Sequence, residues 1–330
     1  MTNLKTAFKK NQHVARLLVI MVVWMIFMAV TRFDKFYTFG NFKTMASQFP
    51  EFGVMALGVM LCMITGGNDL STVGTANFVA IICAMLMKSM GGATGTISAL
   101  TFPIFLVIAL VIGCIVGSFN GILVSQMRVP AMLATLGVNE LMTGISIVLT
   151  GGAAFSEFPK GVTDFISMDL FGVLPVRLLI FVIVAVIIWF LLEKTTFGTK
   201  IRLLGTGEKV AIYSGMKTTR VFVTTYAISG MCSAIGGLLM LGTYASARAD
   251  YGSQYILQTI LIVVLGGVNP NGGRGKISGV ILAICVLKML EAGINRFPQI
   301  SSYYISLIWG AVLILAMVLD YFTKDKRSRD

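Results

Sequence analysis

Charged residues and histidine are scarce in this 330-residue chain. Only 12 % of its residues are Asp, Glu, Lys or Arg, against about 25 % in soluble globular proteins. This composition excludes a disordered chain, a disulfide scaffold and almost any cytosolic enzyme. The single histidine, His13, lies in a basic N-terminal segment, which argues against hydrolysis or proton relay by histidine.

Sequence signatures of catalytic and metal sites are also absent. The five cysteines lie in apolar runs without a CxxC pair or a neighbouring histidine, so they are interpreted as small buried hydrophobes. The segment 272–277, GGRGKI, has part of a phosphate-binding loop, but Ile277 follows Lys276 where Ser or Thr is needed. Pro270 also stands where the first glycine should be. The sequence therefore predicts no catalytic residue, no metal site and no ATP site in this chain.

Apolar residues are abundant, at 56 % of the chain, with a mean hydropathy of +0.88. A membrane span needs about 20 apolar residues, and small residues such as the 35 glycines let helices approach closely in lipid. We predict an all-α, polytopic membrane helix bundle of about ten transmembrane helices, forming one domain over 1–330. The predicted spans are 15–31, 52–66, 72–88, 100–118, 130–149, 175–193, 220–243, 254–268, 276–293 and 303–321.

The distribution of positive charge predicts the orientation. With both termini in the cytoplasm, 17 of the 26 Lys and Arg residues fall on the cytoplasmic side, as the positive-inside rule requires. The net charge of +12 is therefore a consequence of topology and does not indicate nucleic-acid binding. Under this topology the loop 150–174 is external and the loop 194–219 is cytoplasmic, and the basic residues can also attract anionic membrane lipids.

A polar segment separates the apolar runs of the second and third predicted spans. The segment 65–77, TGGNDLSTVGTAN, contains Asn68, Asp69 and Ser71 between two apolar runs that are each short for a span. An aspartate in the bilayer interior costs about 2.5–3.5 kcal/mol on insertion scales, so it normally faces protein or water. We predict a discontinuous helix here. Asp69 is either part of a solute pathway or only the N-cap of the following half-helix.

Further polar groups lie in or next to other predicted spans. Asn139 and Glu140 fall within the fifth predicted span and suggest a second discontinuous helix that faces a central cavity. Asn120 follows the fourth predicted span, where it is either a C-cap or a pathway residue. Arg248 and Asp250 are either an external ion pair or gate rim, or a purely solvated pair.

The predicted cytoplasmic loop contains a short amphipathic helix. It covers 208–214, between flanking turn glycines, and Val210, Ala211 and Tyr213 are expected to share one face. The residues alone leave two interpretations open. The segment is either an ordinary surface helix or a docking site for a cytoplasmic partner.

Several ordered motifs carry a family resemblance over about residues 50–325. They are GGNDLS at 66–71, FNG at 119–121, ATLG at 134–137, the glycine-containing loop 195–215, VLGG at 264–267 and GGRG at 272–275. In these motifs the chain resembles permease subunits of bacterial ABC importers of the ribose/xylose type. The segments 155–169, 210–214 and 246–250 are most similar to those of autoinducer-2 importer permeases.

The resemblance implies a non-catalytic permease in the bacterial inner membrane that moves a sugar or sugar-like solute into the cytoplasm. Its expected partners are two ABC ATPase subunits that bind ATP and Mg, a second permease that is identical or a paralogue, and an extracytoplasmic binding protein. This chain would hold no cofactor. The expected pathway residues are Asn68, Asp69, Ser71, Asn120, Asn139 and Glu140. The expected ATPase-coupling residues in 194–219 are Gly205, Glu208, Ala211, Tyr213 and Gly215.

Two other functional classes stay open from the sequence. One is an ion-coupled secondary transporter whose ion and substrate site uses Asp69 and Glu140. The other is an intramembrane enzyme with Ser71 or Asp69 as the catalytic group, although no base partner is evident. A dependence of uptake on ATP, as opposed to a proton gradient, would separate the importer from the secondary transporter.

Overall fold

The computed structural model describes residues 12–91 and 98–297, together with Tyr304, Leu307, Gly310 and Ala311. In these ranges the chain forms thirteen α-helices, one 3₁₀ turn and one two-stranded hairpin. The first six helices are α1 (Gln12–Phe36), α2 (Phe39–Gln48), α3 (Pro50–Ile64), α4 (Thr72–Gly91), α5 (Phe102–Ser125) and α6 (Ala131–Thr150). The others are α7 (Gly161–Ser167), α8 (Val176–Lys194), α9 (Thr196–Thr206), α10 (Glu208–Tyr213), α11 (Thr218–Tyr244), α12 (Tyr255–Leu265) and α13 (Ile277–Ile294). The 3₁₀ turn covers Ala99–Thr101, and the antiparallel hairpin joins β1 (Asp169–Leu170) to β2 (Leu174–Pro175).

The predicted all-α membrane bundle is confirmed. Seven helices among the described residues are long and apolar enough to cross a membrane, and an eighth span arises if α2 and α3 are taken together across a 43° bend. Pro50 occupies the first turn of α3, where its missing N–H is tolerated. Because proline cannot continue the preceding helix without a kink or break, its position explains the bend between α2 and α3. The predicted span 254–268 is the 11-residue helix α12, which is shorter than a span. Most of the predicted span 303–321 lies outside the described residues.

Helix α11 lies at the centre of the bundle and packs mainly against α5, α3 and α4. Its contact with α5 is made backbone to backbone through glycines. A Cβ at Gly113 would lie 2.4 Å from the carbonyl oxygen of Gly230, and a Cβ at Gly117 would lie 2.1 Å from that of Tyr226. Small residues at four-residue spacing allow this approach, which is the usual basis of tight helix pairing in lipid.

The predicted discontinuity between the second and third apolar segments is present. Helix α3 ends at Ile64 and α4 begins at Thr72, and every residue of α3 is buried. The chain turns at Gly66, whose φ of +85° favours glycine. The N–H of Gly67 then donates to the carbonyl oxygen of Cys62 at 3.1 Å. We call residues 65–71 the break.

The second predicted discontinuity, at Asn139 and Glu140, is wrong because α6 continues unbroken from Ala131 to Thr150. A Cβ at Gly137 or Gly144 would meet no atom within 4 Å, so no close contact requires glycine at either position. An isolated glycine costs a helix only about 1 kcal/mol relative to alanine. Glycine next to an intramembrane acid was therefore too weak a signal of a helix break.

The predicted external loop 150–174 is partly ordered by contacts with the segment after α11. Phe155 and Ala247 form an isolated antiparallel bridge. Arg248 Nε lies 2.9 Å from Asp250 Oδ1, so these two partly exposed side chains form an ion pair. The Lys88 ammonium donates to Glu157 at 2.9 Å, and this hydrogen bond lowers the pKa of the exposed Glu157 carboxyl.

Candidate functional site

Asp69 is the buried centre of the break, with 1 % of its surface exposed. Its Oδ1 accepts hydrogen bonds from the backbone N–H of Ser71 at 3.0 Å and from the Ser71 hydroxyl at 2.7 Å. Its Oδ2 accepts from the hydroxyl of Ser229 on α11 at 2.6 Å. Among the described residues, no Lys, Arg or His lies within salt-bridge distance of this carboxylate. Neutral donors therefore hold it in place.

Asn120 connects α5 to the same cluster. Its Nδ2 donates to the Ser71 hydroxyl at 2.7 Å, so Ser71 accepts from Asn120 while it donates to Asp69. The residue lies inside α5, which continues to Ser125, and the interpretation of Asn120 as a C-cap is therefore wrong. The spacing of the FNG motif could not show this, because the helix extends past the end of the predicted span.

Asn139 on α6 caps the start of α4 from a different helix. Its Oδ1 accepts from the backbone N–H of Gly74 at 2.9 Å, which satisfies one of the free donors in the first turn of α4. The Asp69 side chain instead bonds the N–H of Ser71, before the helix begins at Thr72. Asp69 thus forms a local turn of the Asx type, and Asn139 supplies the helix-capping bond.

The backbone of Asn68 is also held by hydroxyl groups from neighbouring helices. The Tyr226 hydroxyl on α11 donates to the Asn68 carbonyl oxygen at 3.1 Å, and the Thr135 hydroxyl on α6 lies 3.4 Å from the same oxygen. A Cβ at Gly67 would lie 2.4 Å from the Tyr226 hydroxyl oxygen, so a larger residue there would have to displace this hydroxyl. Helices α5, α6 and α11 therefore meet at the break.

Several buried oxygens in this region have no hydrogen-bond partner within the described part of the chain. They are Asn68 Oδ1, Thr72 Oγ1, Thr75 Oγ1 and Asn120 Oδ1. Buried polar groups are nearly always paired, so a cluster of unpaired acceptors calls for an explanation. These amide and hydroxyl oxygens are suited to exchanging hydrogen bonds with a hydroxylated solute.

Glu140 lies apart from Asp69. The residue is exposed on α6, next to a shallow groove that it lines with Leu141, Gly144 and Val148. Its Oε1 accepts a 3.3 Å hydrogen bond from Asn139 Nδ2. No hydrogen bond or ion pair joins Glu140 to Asp69 among the described residues. Of the predicted pathway residues, the structure thus gathers Asn68, Asp69, Ser71, Asn120 and Asn139 around the break, with Glu140 on an outer face.

A second buried polar network, centred on Glu51, was missed by the sequence analysis. The Thr243 hydroxyl donates to Glu51 Oε1, and the Tyr255 hydroxyl lies 3.3 Å from Oε2. Arg177 donates to the Thr243 hydroxyl at 2.8 Å and to the Ser167 hydroxyl at 3.0 Å. The sequence signal for this network is an acid that follows Pro50 at the edge of an apolar run. It was missed because the same pattern is typical of an ordinary helix start. The network joins α3, α7, α8, α11 and α12.

We expect Glu51→Ala to destabilise the protein by about 1–3 kcal/mol, because it removes the acceptor of the Tyr255 hydroxyl and one of the two acceptors of the Thr243 hydroxyl, which still donates to the Leu239 carbonyl oxygen at 3.0 Å. Glu51→Gln keeps one acceptor oxygen and should cost less. Thermal unfolding of the detergent-solubilised chain measures both effects. Glu157→Ala, which removes an exposed acid, is the matched control and should leave the melting temperature unchanged. Equal melting temperatures for Glu51→Ala and the parent would contradict this role.

The predicted coupling residues lie around α9 and α10. Gly205 is in the last turn of α9, Glu208 begins α10, and Gly215 follows α10 with a φ of +74°. The expected shared face is wrong, because Ala211 is buried while Tyr213 is 89 % exposed. Ala211 packs inward from the middle of this six-residue helix. Tyr213, two residues further along, points in a different direction, because residues two apart do not share a helix face.

Glu208 is already paired within the chain. The Nη1 of Arg128, in the turn between α5 and α6, donates to both Glu208 carboxylate oxygens at 2.9 Å. Arg128 adopts a left-handed φ of +56°, which is uncommon outside glycine. The pair ties α10 to the turn that precedes α6. Sequence analysis missed Arg128 because the two residues are 80 positions apart.

Comparison with known proteins shows a clear family relationship. The sequence profile of the family described as "Branched-chain amino acid transport system / permease component" matches residues 41–317. The chain is similar to the autoinducer 2 import system permease protein LsrD of Escherichia coli K12, of Escherichia coli O157:H7 and of Shigella flexneri. It is 32 % identical to each over 278 residues, covering 82 % of this chain and 81 % of the relative. No solved structure matches the chain.

Proposed function

Because the chain belongs to the branched-chain amino acid transport system permease family, we propose that it is the membrane subunit of an ATP-driven importer of a sugar or sugar-like solute. The proposed solute belongs to the ribose/autoinducer-2 class, and the direction of transport is into the cytoplasm. The observation that carries this proposal is the similarity to autoinducer 2 permeases over four-fifths of both chains.

The chemistry of the break supports a neutral, hydroxylated solute. Asn68, Ser71, Asn120 and Asn139 offer amide and hydroxyl groups, and the one acid among them, Asp69, is enclosed by neutral donors. Such groups can exchange hydrogen bonds with solute hydroxyls without the strong attraction of a charge pair. We propose that they line a low-affinity pathway, which would release the solute readily.

A second permease, identical or a paralogue, is proposed to lie across the pathway from the exposed face of α6. Glu140 is exposed on this face among apolar neighbours, including Leu141 and Val148. A carboxylate at this depth is costly against lipid tails, so the face is better suited to water or protein. Glu140 would then border the pathway between the two permeases.

We propose that partner ATPase subunits, which bind ATP and Mg, power the transport of solute. This chain would hold no cofactor. The helix α10 presents Val210, Ile212 and Tyr213 as exposed side chains, and they are suited to inserting into a groove of an ATPase. In this arrangement α9, α10 and both termini lie on the cytoplasmic side of a bacterial inner membrane. An extracytoplasmic binding protein would deliver solute to the opposite face.

Reconstitution of the complex tests this function. The chain is incorporated into proteoliposomes with its ATPase and binding protein, and ATP hydrolysis and solute uptake are measured over a panel of pentoses, hexoses, autoinducer-2 and branched-chain amino acids. We expect ATP-dependent uptake and solute-stimulated hydrolysis for autoinducer-2 or a pentose. Stimulation only by branched-chain amino acids would overturn the proposed solute class.

The same vesicles test the alternative of an ion-coupled secondary transporter that uses Asp69 and Glu140. Uptake that persists without ATP and disappears with a protonophore would overturn the ATP-driven mechanism. The separation of Glu140 from the hydrogen-bonded Asp69 cluster supports the importer over a shared ion site.

We expect the charge reversals Arg128→Glu and Glu208→Arg each to lower ATP-driven uptake, and the double variant to restore part of it. The expected loss is about two- to five-fold, because an exposed ion pair is worth at most about 1 kcal/mol. Uptake in proteoliposomes measures the effect. The Lys88–Glu157 pair has the same 2.9 Å distance and is the matched control. Additive losses in the double variant would contradict a link between these two side chains.

A further inference from the structure

The glycine-rich loop between α12 and α13 lies against both the break and residues 194–219, which we call the coupling segment. Its Gly273 N–H donates to the carbonyl oxygen of Ile64, the last residue of α3, at 2.8 Å. Asn269 braces the loop internally, because its Nδ2 donates to the Gly272 carbonyl oxygen at 2.9 Å and its N–H donates to the Arg274 carbonyl oxygen at the same distance. The motif that fails as a phosphate-binding loop is thus a structured packing element.

Three backbone segments meet here without intervening side chains. A Cβ at Gly205 would lie 1.9 Å from the Ile64 carbonyl oxygen and 2.3 Å from the Gly273 nitrogen. A Cβ at Gly272 would lie 2.7 Å from the Gly205 carbonyl oxygen and 2.8 Å from the Gly66 nitrogen. Real Cβ atoms do not approach this closely, so each contact requires glycine. We call Gly66, Gly205, Gly272 and Gly273 the glycine junction.

The position of the glycine junction connects two regions that are far apart in sequence. Gly205 lies three residues before Glu208, where α10 begins. Gly66 belongs to the break and lies three residues before Asp69. The backbone of the coupling segment therefore touches Ile64, the residue immediately before the break, and reaches Gly66 of the break through Gly272.

We infer that the glycine junction is a positioning element that moves the break together with the coupling segment, so that a displacement of α10 reaches Asn68 and Asp69. This inference rests on the proposed function. Close-packed backbone atoms transmit displacement because protein interiors are nearly incompressible. The Arg128–Glu208 pair is a weaker link, because it is exposed and its side chains can re-orient.

The first test is Gly205→Ala in the reconstituted importer. The amounts of ATPase bound, ATP hydrolysed and solute taken up are measured separately. We expect hydrolysis to continue while solute moved per ATP falls about ten-fold or more, within the range of coupling between sites in proteins. Gly40→Ala is the matched control, since a Cβ there meets no atom within 4 Å, and its transport ratio should equal that of the parent.

A second test applies even if Gly205→Ala does not assemble. Cysteines are introduced by Thr206→Cys and Asn271→Cys, at exposed positions on two sides of the glycine junction, and are joined with a short bis-maleimide. The parent chain treated with the same reagent controls for the five native cysteines. If the two sides of the glycine junction move together as one unit, a cross-link between them does not restrict that movement. We therefore expect the cross-linked complex to keep ATP-driven uptake.

The outcomes separate the inference from the proposed function. Absence of ATP-driven uptake in the untreated parent complex would overturn the proposed function itself. With an active parent, a parallel fall of hydrolysis and uptake in Gly205→Ala would show a merely structural role and overturn the inference. Abolition of uptake by the 206–271 cross-link would also overturn it, because the junction would then have to open during transport.

Discussion

Replacing Asp69 with alanine is expected to abolish transport and to remove most of the folded protein. The substitution leaves three buried donors without an acceptor: the Ser71 N–H, the Ser71 hydroxyl and the Ser229 hydroxyl. Each unpaired donor costs about 1–3 kcal/mol, and the sum is comparable with a total stability of about 5–15 kcal/mol. Size-exclusion chromatography in detergent and uptake in proteoliposomes measure the two losses.

Asp69→Asn separates the role of the charge from that of the fold. The amide keeps one oxygen for the two bonds from Ser71, and the Ser229 hydroxyl can rotate to accept from the new NH₂ group. We therefore expect a folded protein. Uptake should fall about ten-fold, because the amide removes the negative charge of the one acid in the break and a loss of about 1.4 kcal/mol in a rate-limiting step lowers its rate ten-fold. Ser229→Ala is the control that removes a single donor and should have the smaller effect. Normal uptake by Asp69→Asn would show that the charge has no part in transport and leave Asp69 a structural role only.

The second large effect is expected at the crossing of α5 and α11. In Gly117→Ala the new Cβ would lie 2.1 Å from the Tyr226 carbonyl oxygen, and the helices must separate by on the order of 1 Å to reach ordinary contact distance. Overpacking usually costs about 1–3 kcal/mol, and more when the obstacle is backbone. The separation would also displace Tyr226 and Ser229 from the break. We expect loss of most assembled protein and of all uptake.

Gly144→Ala is the matched control for this substitution, since Gly144 also lies inside a span-length helix but has open space around it. Its melting temperature should equal or exceed that of the parent, because alanine is the better helix former. Similar losses in both variants would show that helix propensity, and not the close crossing, determines the effect at Gly117.

Much of the architecture could be predicted from composition and apolar runs. Hydropathy located the seven span-length helices, and the polar segment at 65–77 located the break, because lipid excludes unpaired backbone and charge. The ordered motifs indicated the permease family, which the comparison confirmed. These features are local in the sequence, and the bilayer acts on each of them directly.

Other features could not be predicted in this way. Asn139 caps α4 from 65 residues away, Thr243 reaches Glu51 from 192 residues away, and Arg128 pairs with Glu208 across 80 positions. Periodicity shows that a residue is polar or small, but it does not show which residue of another helix it meets. The four-residue spacing of Gly113, Gly117 and Gly121 was a usable signal of close packing that the sequence analysis did not exploit.

The scarcity of charge by itself determined that this chain lies in a membrane and that Asp69 and Glu140 need an explanation. Only the tertiary structure decided that their explanations differ: Asp69 is enclosed by hydroxyl donors from its own segment and α11, whereas Glu140 is exposed on α6. The physical reason is that the cost of a charge in lipid depends on residue type and depth, which a sequence records. The groups that offset this cost come from distant helices, and only the packing of the bundle brings them together.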